Sequence, residues 1–196
     1  MDTYNNKNSN LKDFCIFSYN SRGFHDGNQT VCKDLVLLAG AKIPIICNQE
    51  NFILNSNKYK IEQCLPDYHI YFKPASKEGL TGRPKNGMFI AIPKYLKPNV
   101  TDISPASNRV QAILLKSDCR NTLILNTYFP TDDKTVASDT TDLLIILVDI
   151  QNIINSHDFT EIIWAGDINS DFTRSTKFVD TVRTFITENN LAKSWD

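Results

Sequence analysis

Four short apolar runs in this sequence each end in polar residues of one chemical kind. Phe14 to Tyr19 is followed by Asn20, Ser21, Arg22 and Gly23, and Ile43 to Cys47 by Asn48, Gln49 and Glu50. Leu123 to Leu125 leads into Asn126-Thr127-Tyr128-Phe129-Pro130, and Glu161 to Ala165 into Gly166-Asp167-Ile168-Asn169. Gathered in one place, these residues make an oxygen-rich set without sulfur or imidazole. Such a set suits a hard divalent cation, Mg²⁺ or Mn²⁺, whereas zinc prefers nitrogen and sulfur. Mg²⁺ takes only one or two carboxylates and keeps its waters for phosphate contacts. Glu50 fits the metal ligand, and Asn20 could hold a metal-bound water or a phosphate oxygen. Asp167 could position or deprotonate the attacking water, with Asn169 on the scissile phosphate and Tyr128 donating to the phosphoryl oxygens. Taken singly, each has an ordinary explanation. An Asn or Asp after a strand is turn chemistry, Glu50 a solvated loop charge, and Tyr128 a packed aromatic. Repetition at four strand ends is what carries the chemical reading.

The elements that must position these residues follow from the apolar pattern. Strands are expected at Phe14 to Tyr19, Ile43 to Cys47, His69 to Phe72, Met88 to Ile92, Val110 to Leu115, Leu123 to Phe129 and Glu161 to Trp164. Each is short, and most are bounded by Gly, Pro, Asn or Asp. Three helical stripes lie between or after them. Val31, Leu35 and Leu38 predict one buried face, behind a cap at Asn28 or Thr30. Leu143, Leu147, Ile150 and Ile154 predict a second. Phe178, Val182 and Phe185 predict a third, capped by Ser175 or Thr176. The order β-α-β, a run of strands, then α, β, α predicts mixed sheets with helices packed outside, an α/β or α+β layered domain. In sheets with mostly parallel connections, ligands collect at the carboxyl ends of strands.

Composition bounds the rest. A chain of 196 residues, 41% hydrophobic, supports one sizeable core. A formal net charge of −1 supplies no long-range attraction for nucleic acid. A DNA partner would therefore need local cations, for which Arg22 and the basic loop from Lys73 to Asn86, with Lys77, Arg83 and Lys85, are the candidates. The five cysteines are scattered and show no metal-ligand spacing, which reads as free thiols in a reducing compartment. Residues 1–12 read as a polar disordered tail, and 13–196 as one domain. The absence of an apolar leader or membrane span predicts an intracellular protein.

The ordered series Tyr19-Asn20-Ser21-Arg22-Gly23, Asn48-Gln49-Glu50, Asn126 to Asp132 and Gly166-Asp167-Ile168-Asn169 resembles the endonuclease/exonuclease/phosphatase superfamily, the DNase-I-like group. Asn86 to Ile92 and Arg109 to Ile113 look like its intermediate strands. The N-x-R-G opening, the Y-F-P-T-D segment, and Gly166 to Arg174 followed by Phe178 to Leu191 look most like endonuclease domains of non-LTR retrotransposons. The resemblance implies a four-layer sandwich of two packed sheets flanked by helices, and Mg²⁺- or Mn²⁺-dependent phosphodiester hydrolysis. It places Asn20 and Glu50 at metal positions, Tyr128 on phosphate, Asp167 on the nucleophilic water and Asn169 beside the scissile phosphate. The implied partner is DNA, nicked to prime reverse transcription, which implies a nuclear location.

One departure limits that expectation. The superfamily closes with a strand carrying an Asp and then a Ser-Asp-His segment, and this chain ends at Leu191 to Asp196, ahead of both. His25, His69 and His157 sit in positions that read as ordinary. The resemblance therefore implies a truncated domain with an unpaired sheet edge and little or no turnover by itself. Two alternatives stay open: a phosphoinositide- or sphingomyelin-type phosphodiesterase of the same fold, and a catalytically dead remnant kept as an interaction module.

Overall fold

The structure, a computed structural model, describes residues 14–77, 79, 82–118, 120–132 and 139–191. The expected tail at 1–12, Cys119, the middle of the acidic loop after Asp132 and residues 192–196 lie outside them.

Two four-stranded sheets face each other. The first contains β1 (Phe14–Asn20), β2 (Ile43–Gln49), β3 (Tyr68–Lys73) and β4 (Met88–Pro93) in the order β1-β2-β4-β3. The second contains β5 (Val100–Asp102), β6 (Val110–Lys116), β7 (Asn121–Tyr128) and β8 (Glu161–Asp167) in sequential order. Each sheet carries one parallel pair, β1 with β2 and β7 with β8, and its other pairings are antiparallel. Parallel neighbours need a crossover, and helices supply it: α1 (Asp26–Leu38) joins β1 to β2, and α3 (Thr141–Ser156) joins β7 to β8. A short α2 (Tyr59–Cys64) and the C-terminal α4 (Lys177–Glu188) complete the outer layers.

The core accordingly has three storeys. Ile45, Cys47, Ile90, Ile92, Ile113 and Ile124 fill the space between the sheets. Phe24, Cys32, Ile46, Ile61 and Phe89 seal the first sheet against α1 and α2. Leu123, Leu125, Leu143, Ile150, Phe178 and Val182 seal the second against α3 and α4. Strand β4, apolar on both faces, is buried along its whole length, which is why Met88 to Ile92 reads as a continuous run rather than an alternation. The α3 stripe faces the core as expected, and Thr176 Oγ1 accepts the Val179 amide at 3.2 Å to cap α4.

The α1 face differs from the expected one. Cys32 is fully buried, with Leu35 and Val36 packed beside it, while Val31 and Leu38 are 38% and 74% exposed. The helix starts at Asp26 behind His25, which makes no side-chain cap bond, rather than at Asn28 or Thr30. Its phase is set by the turn before it, where the Phe24 amide donates to the Asn51 carbonyl at 2.8 Å. That anchor turns the Cys32/Val36 side inward. The elements α2 and β5 were not expected, being too short to show a period.

Strands β1 and β8 are each an outer strand of their sheet, and they lie against one another across the sandwich. Their side chains are mostly half-buried, in contrast to the sealed central strands. Among the described residues, no helix is long and apolar enough to cross a membrane.

Candidate active site

Register places the polar strand ends together. In the first parallel pair Asn20 lies opposite Gln49, so Glu50 follows one step past the end of β2. In the second pair Tyr128 lies opposite Asp167. Because β1 packs on β8, the carboxyl ends of both pairs open at one end of the sandwich, where ligand sites form in such sheets.

There, one amide joins both carboxylates. Asn20 Nδ2 donates to Glu50 Oε2 at 2.7 Å and to Asp167 Oδ2 at 2.8 Å. The Tyr128 hydroxyl donates to Glu50 Oε1 at 2.7 Å. The Arg22 amide donates to Asn20 Oδ1 at 3.0 Å, which fixes the orientation of that side chain. The Asn169 amide donates to Asp167 Oδ1 at 2.9 Å, and Asn169 Nδ2 to the Phe129 carbonyl at 2.8 Å. Asn20, Glu50, Tyr128, Asp167 and Asn169 thus form one connected cluster drawn from both sheets.

The backbone at this site is held in uncommon conformations. Arg22, Glu50, Phe52, Asn86 and Asn169 all adopt left-handed φ, at 48°, 52°, 57°, 63° and 52°. For a residue such as Glu50 or Phe52 this costs ~1–3 kcal/mol and persists only where the surroundings over-determine it. They do so here. Gly23 donates to the Glu50 carbonyl at 2.7 Å, Asn51 to the Gly87 carbonyl and Phe52 to the Asn86 carbonyl, both at 3.1 Å. The kink turns Glu50 out of line with β2 and toward Asn20. On β8, Gly166 has φ 138°, and a Cβ there would lie 2.2 Å from the Thr127 carbonyl oxygen, so only glycine lets Asp167 take its place.

Burial, and then the bond to Glu50, push the Tyr128 phenol up to about 12. It is therefore a hydrogen-bond donor throughout the physiological range. Arg109 stacks over the Tyr128 ring at 5.3 Å and donates to its carbonyl at 3.5 Å. Arg83 lies 4.8 Å over the Phe52 ring, two residues beyond Glu50. Lys85 is held by paired backbone bonds to Ser76, next to the Asn86 that anchors Phe52. Of the three expected substrate cations, Arg22 meets the cluster through its backbone amide, Arg83 lies over Phe52, and Lys85 pairs with Ser76 through the backbone.

Several residues here were given no role in the sequence reading. Phe52 and Arg109 flank the cluster as described. Asp132 is buried, its amide donates to the Asn169 carbonyl at 3.3 Å, and its carboxylate accepts from Ser170 and Thr176 at 3.2 and 2.9 Å. It ties the Asn169 loop to the start of α4. Conversely, two side-chain amides at the strand ends prove structural. Gln49 Nε2 donates to Asn126 Oδ1 at 2.6 Å, and Asn126 Nδ2 to the carbonyls of Asn48 and Phe89 at 3.1 and 3.2 Å. They form a buried seam joining the two sheets directly beneath the site. His69 packs edge-on against Tyr71 and His157 bonds the Ile153 carbonyl, both apart from the cluster, whereas the ring of the exposed His25 lies against Gly23, beside Phe52.

A cavity of about 490 Å³ opens over Gly166 to Ser170 and Phe172. A larger apolar groove of about 750 Å³ between α3 and α4 contains none of the clustered residues. Among the described residues, no group of three or more His, Cys, Asp or Glu side chains could hold a metal. Two carboxylates facing one amide do suit Mg²⁺ or Mn²⁺, which needs only one or two of them. Glu50 would hold such an ion, and Asn20, bonded to it and to Asp167, is placed to hold one of its waters.

Solved structures of similar shape were found. The endonuclease domain of TRAS1, a telomere-specific non-LTR retrotransposon, is 13% identical with a TM-score of 0.61, over 90% of this chain and 72% of that one. The AP endonuclease LMAP from Leishmania major is 14% identical with a TM-score of 0.62, over 90% and 67%. The human Nocturnin catalytic domain, solved with a bound sulfate anion, is 15% identical with a TM-score of 0.53, over 86% and 68%. The chain has the endonuclease/exonuclease/phosphatase fold. No family model matches the sequence, and no curated protein matches it. At these identities the endonuclease/exonuclease/phosphatase likeness is one of fold, and the chemistry must be argued from the site.

Proposed function

We propose that this chain is a divalent-metal-dependent phosphodiesterase domain acting on DNA, of the kind carried by non-LTR retrotransposons. The observation that carries the reading is the Glu50–Asn20–Asp167 triad with Tyr128 on Glu50, at the open end of two parallel strand pairs. A bound Mg²⁺ would supply Lewis-acid polarisation of a phosphoryl oxygen. Glu50 would hold it. Asp167, kept in place by the Asn169 amide, orients a water and accepts its proton as the water attacks phosphorus. Tyr128, a phenol at working pH, donates to a non-bridging oxygen as charge builds there. Asn20 keeps the two carboxylates at a fixed separation, and Asn169 faces the scissile phosphate.

DNA is favoured over a lipid headgroup by what surrounds the cluster. Arg109 lies over the ring of Tyr128 and Arg83 over that of Phe52, two residues beyond Glu50, and two such cations suit a chain of phosphates rather than one. The half-buried Phe52 offers an aromatic face next to Arg83. A chromosomal substrate would place the protein in the nucleus.

The test is Mg²⁺-dependent nicking of supercoiled plasmid by the chain extended through a Ser-Asp-His segment, run beside phosphoinositide hydrolysis. Nicking that disappears in Glu50→Ala supports the assignment. Nicking that survives Glu50→Ala, or turnover of phosphoinositide alone, overturns it.

A further inference from the structure

Tyr128 has one hydrogen to give and two acceptors that want it. Its hydroxyl donates to Glu50 Oε1 at 2.7 Å, and a phenol carries a single O–H. While that hydrogen lies on Glu50, no phosphoryl oxygen can have it. Asn20 is committed in the same way, because its Nδ2 has two hydrogens and both are used. One lies on Glu50 Oε2 at 2.7 Å and the other on Asp167 Oδ2 at 2.8 Å. Asn169 Nδ2 gives one of its own to the Phe129 carbonyl at 2.8 Å. The donors that a phosphate would need are thus turned onto protein oxygens, and chiefly onto Glu50.

The heavy atoms around this contact are fixed. Glu50 is held at φ 52° by the turn it ends, so its carboxylate does not swing away from the cluster. The Tyr128 amide donates to the Arg109 carbonyl at 3.0 Å, and the Arg109 guanidinium covers the Tyr128 ring at 5.3 Å. What stays free to move is the hydroxyl hydrogen, which rotates about the bond between the ring and Oη. Its direction is set by whichever acceptor is better. A Glu50 oxygen whose lone pair is shared with a divalent cation is a poor acceptor, and the positive charge beside it repels the phenol hydrogen.

We propose that the Tyr128 hydroxyl is a cation-dependent donor, resting on Glu50 until Glu50 takes a divalent cation and only then turning to a phosphoryl oxygen of DNA. The proposal rests on the phosphodiesterase reading and adds to it an order of binding, cation before phosphate. No covalent bond changes, and the hydrogen stays on the phenol oxygen throughout. By linkage, the cation raises phosphate affinity and phosphate raises cation affinity by the same factor. A phenol that served only to orient Glu50 as a ligand would behave in the opposite way, since its removal would weaken cation binding.

The experiment compares the full chain with Tyr128→Phe, which keeps the ring beneath Arg109. Mn²⁺ affinity is read by electron paramagnetic resonance, and affinity for a labelled DNA duplex by fluorescence anisotropy with and without Mn²⁺. Without Mn²⁺ the two proteins are expected to bind DNA alike. Saturating Mn²⁺ is expected to tighten DNA binding about tenfold more in the wild type than in Tyr128→Phe, as one hydrogen bond to a charged group would. Tyr128→Phe is expected to bind Mn²⁺ at least as tightly as the wild type. Weaker Mn²⁺ binding in folded Tyr128→Phe overturns the proposal, as does a Mn²⁺ effect on DNA binding that is equal in both proteins or absent. If Tyr128→Phe does not fold, a ring-fluorinated tyrosine at position 128 decides. Its fluorine resonance should move on adding Mg²⁺ without DNA, and a resonance that stays in place overturns the proposal. A folded wild type that binds no Mn²⁺ overturns the metal reading itself, which the other outcomes leave standing.

Discussion

Glu50 and Asp167, which belong to different sheets, accept hydrogen bonds from the same nitrogen, Asn20 Nδ2, at 2.7 and 2.8 Å. Two carboxylates so placed repel one another, and the amide offsets that only in part. Replacing Asn20 by Ala should therefore loosen the pair and lower divalent-cation affinity by ~10–100-fold, the range for losing a group that orients metal ligands. Calorimetric titration with Mn²⁺ checks this. Unchanged affinity in a folded Asn20→Ala protein would show that the carboxylates need no spacer.

The proposed roles of Asp167 and Tyr128 differ in what they predict for cleavage. Losing Asp167 as proton acceptor, in Asp167→Asn, should reduce nicking by ~10²–10⁴-fold with little effect on DNA binding. Losing one phosphoryl donor, in Tyr128→Phe, should reduce it by ~10²–10³-fold. Gel assays of nicking and of binding separate the two effects. Equal activity in Asp167→Asn and wild type would remove Asp167 from the reaction.

Tyr128 also has a pH signature. Its phenol is raised from the ordinary 10 to about 12 by burial and by Glu50. Because the folded value lies above the unfolded one, its contribution to stability is complete below pH 10 and is lost as pH rises from 10 to 12. Thermal melts of wild type and Tyr128→Phe should therefore converge over that window. Curves that stay parallel would mean that the phenol is not shifted.

The buried seam beneath the site sets a stability prediction. In Asn126→Ala, Gln49 Nε2 loses its 2.6 Å acceptor, and the Asn48 and Phe89 carbonyls lose their donor. Each buried polar group left unpaired costs ~1–3 kcal/mol, so the denaturation midpoint should fall measurably. A midpoint equal to wild type would show that the seam is dispensable.

Much of this arrangement is legible in the residues. The β-branched runs from Phe14 and from Met88 announce strands because they are short, apolar and closed by turn formers. Glu50 and Asp167 stand out because each follows a run that ends in a parallel pair. Other features look alike in the sequence and separate only through packing. Asn20 and Asn126 are both amides at strand ends, yet the first faces the cleft and the second is sealed between sheets. The α1 stripe misleads because Val31 and Leu38 have the right spacing, while the phase is set by Phe24 pairing with Asn51. Arg109 and Asp132 fall within segments that carry the resemblance, but their roles, like that of Phe52, come from contacts to residues far along the chain.

The phosphate-facing platform can be checked independently of turnover. Phe52→Ala should weaken binding of DNA carrying unpaired bases by ~1–3 kcal/mol per base stacked, while Mn²⁺ affinity stays unchanged. Fluorescence anisotropy with a labelled oligonucleotide reads the first. If both fall together, Phe52 supports the Glu50 turn rather than the substrate.

Mn²⁺ binding followed by electron paramagnetic resonance tests the central claim most directly, because it needs no turnover. The wild-type chain is predicted to bind one ion, with binding lost in Glu50→Gln and weakened in Asp167→Asn while the fold remains intact. Binding that is absent from the wild type, or that persists unchanged in Glu50→Gln, would contradict a divalent-cation site at the meeting of Glu50, Asn20 and Asp167.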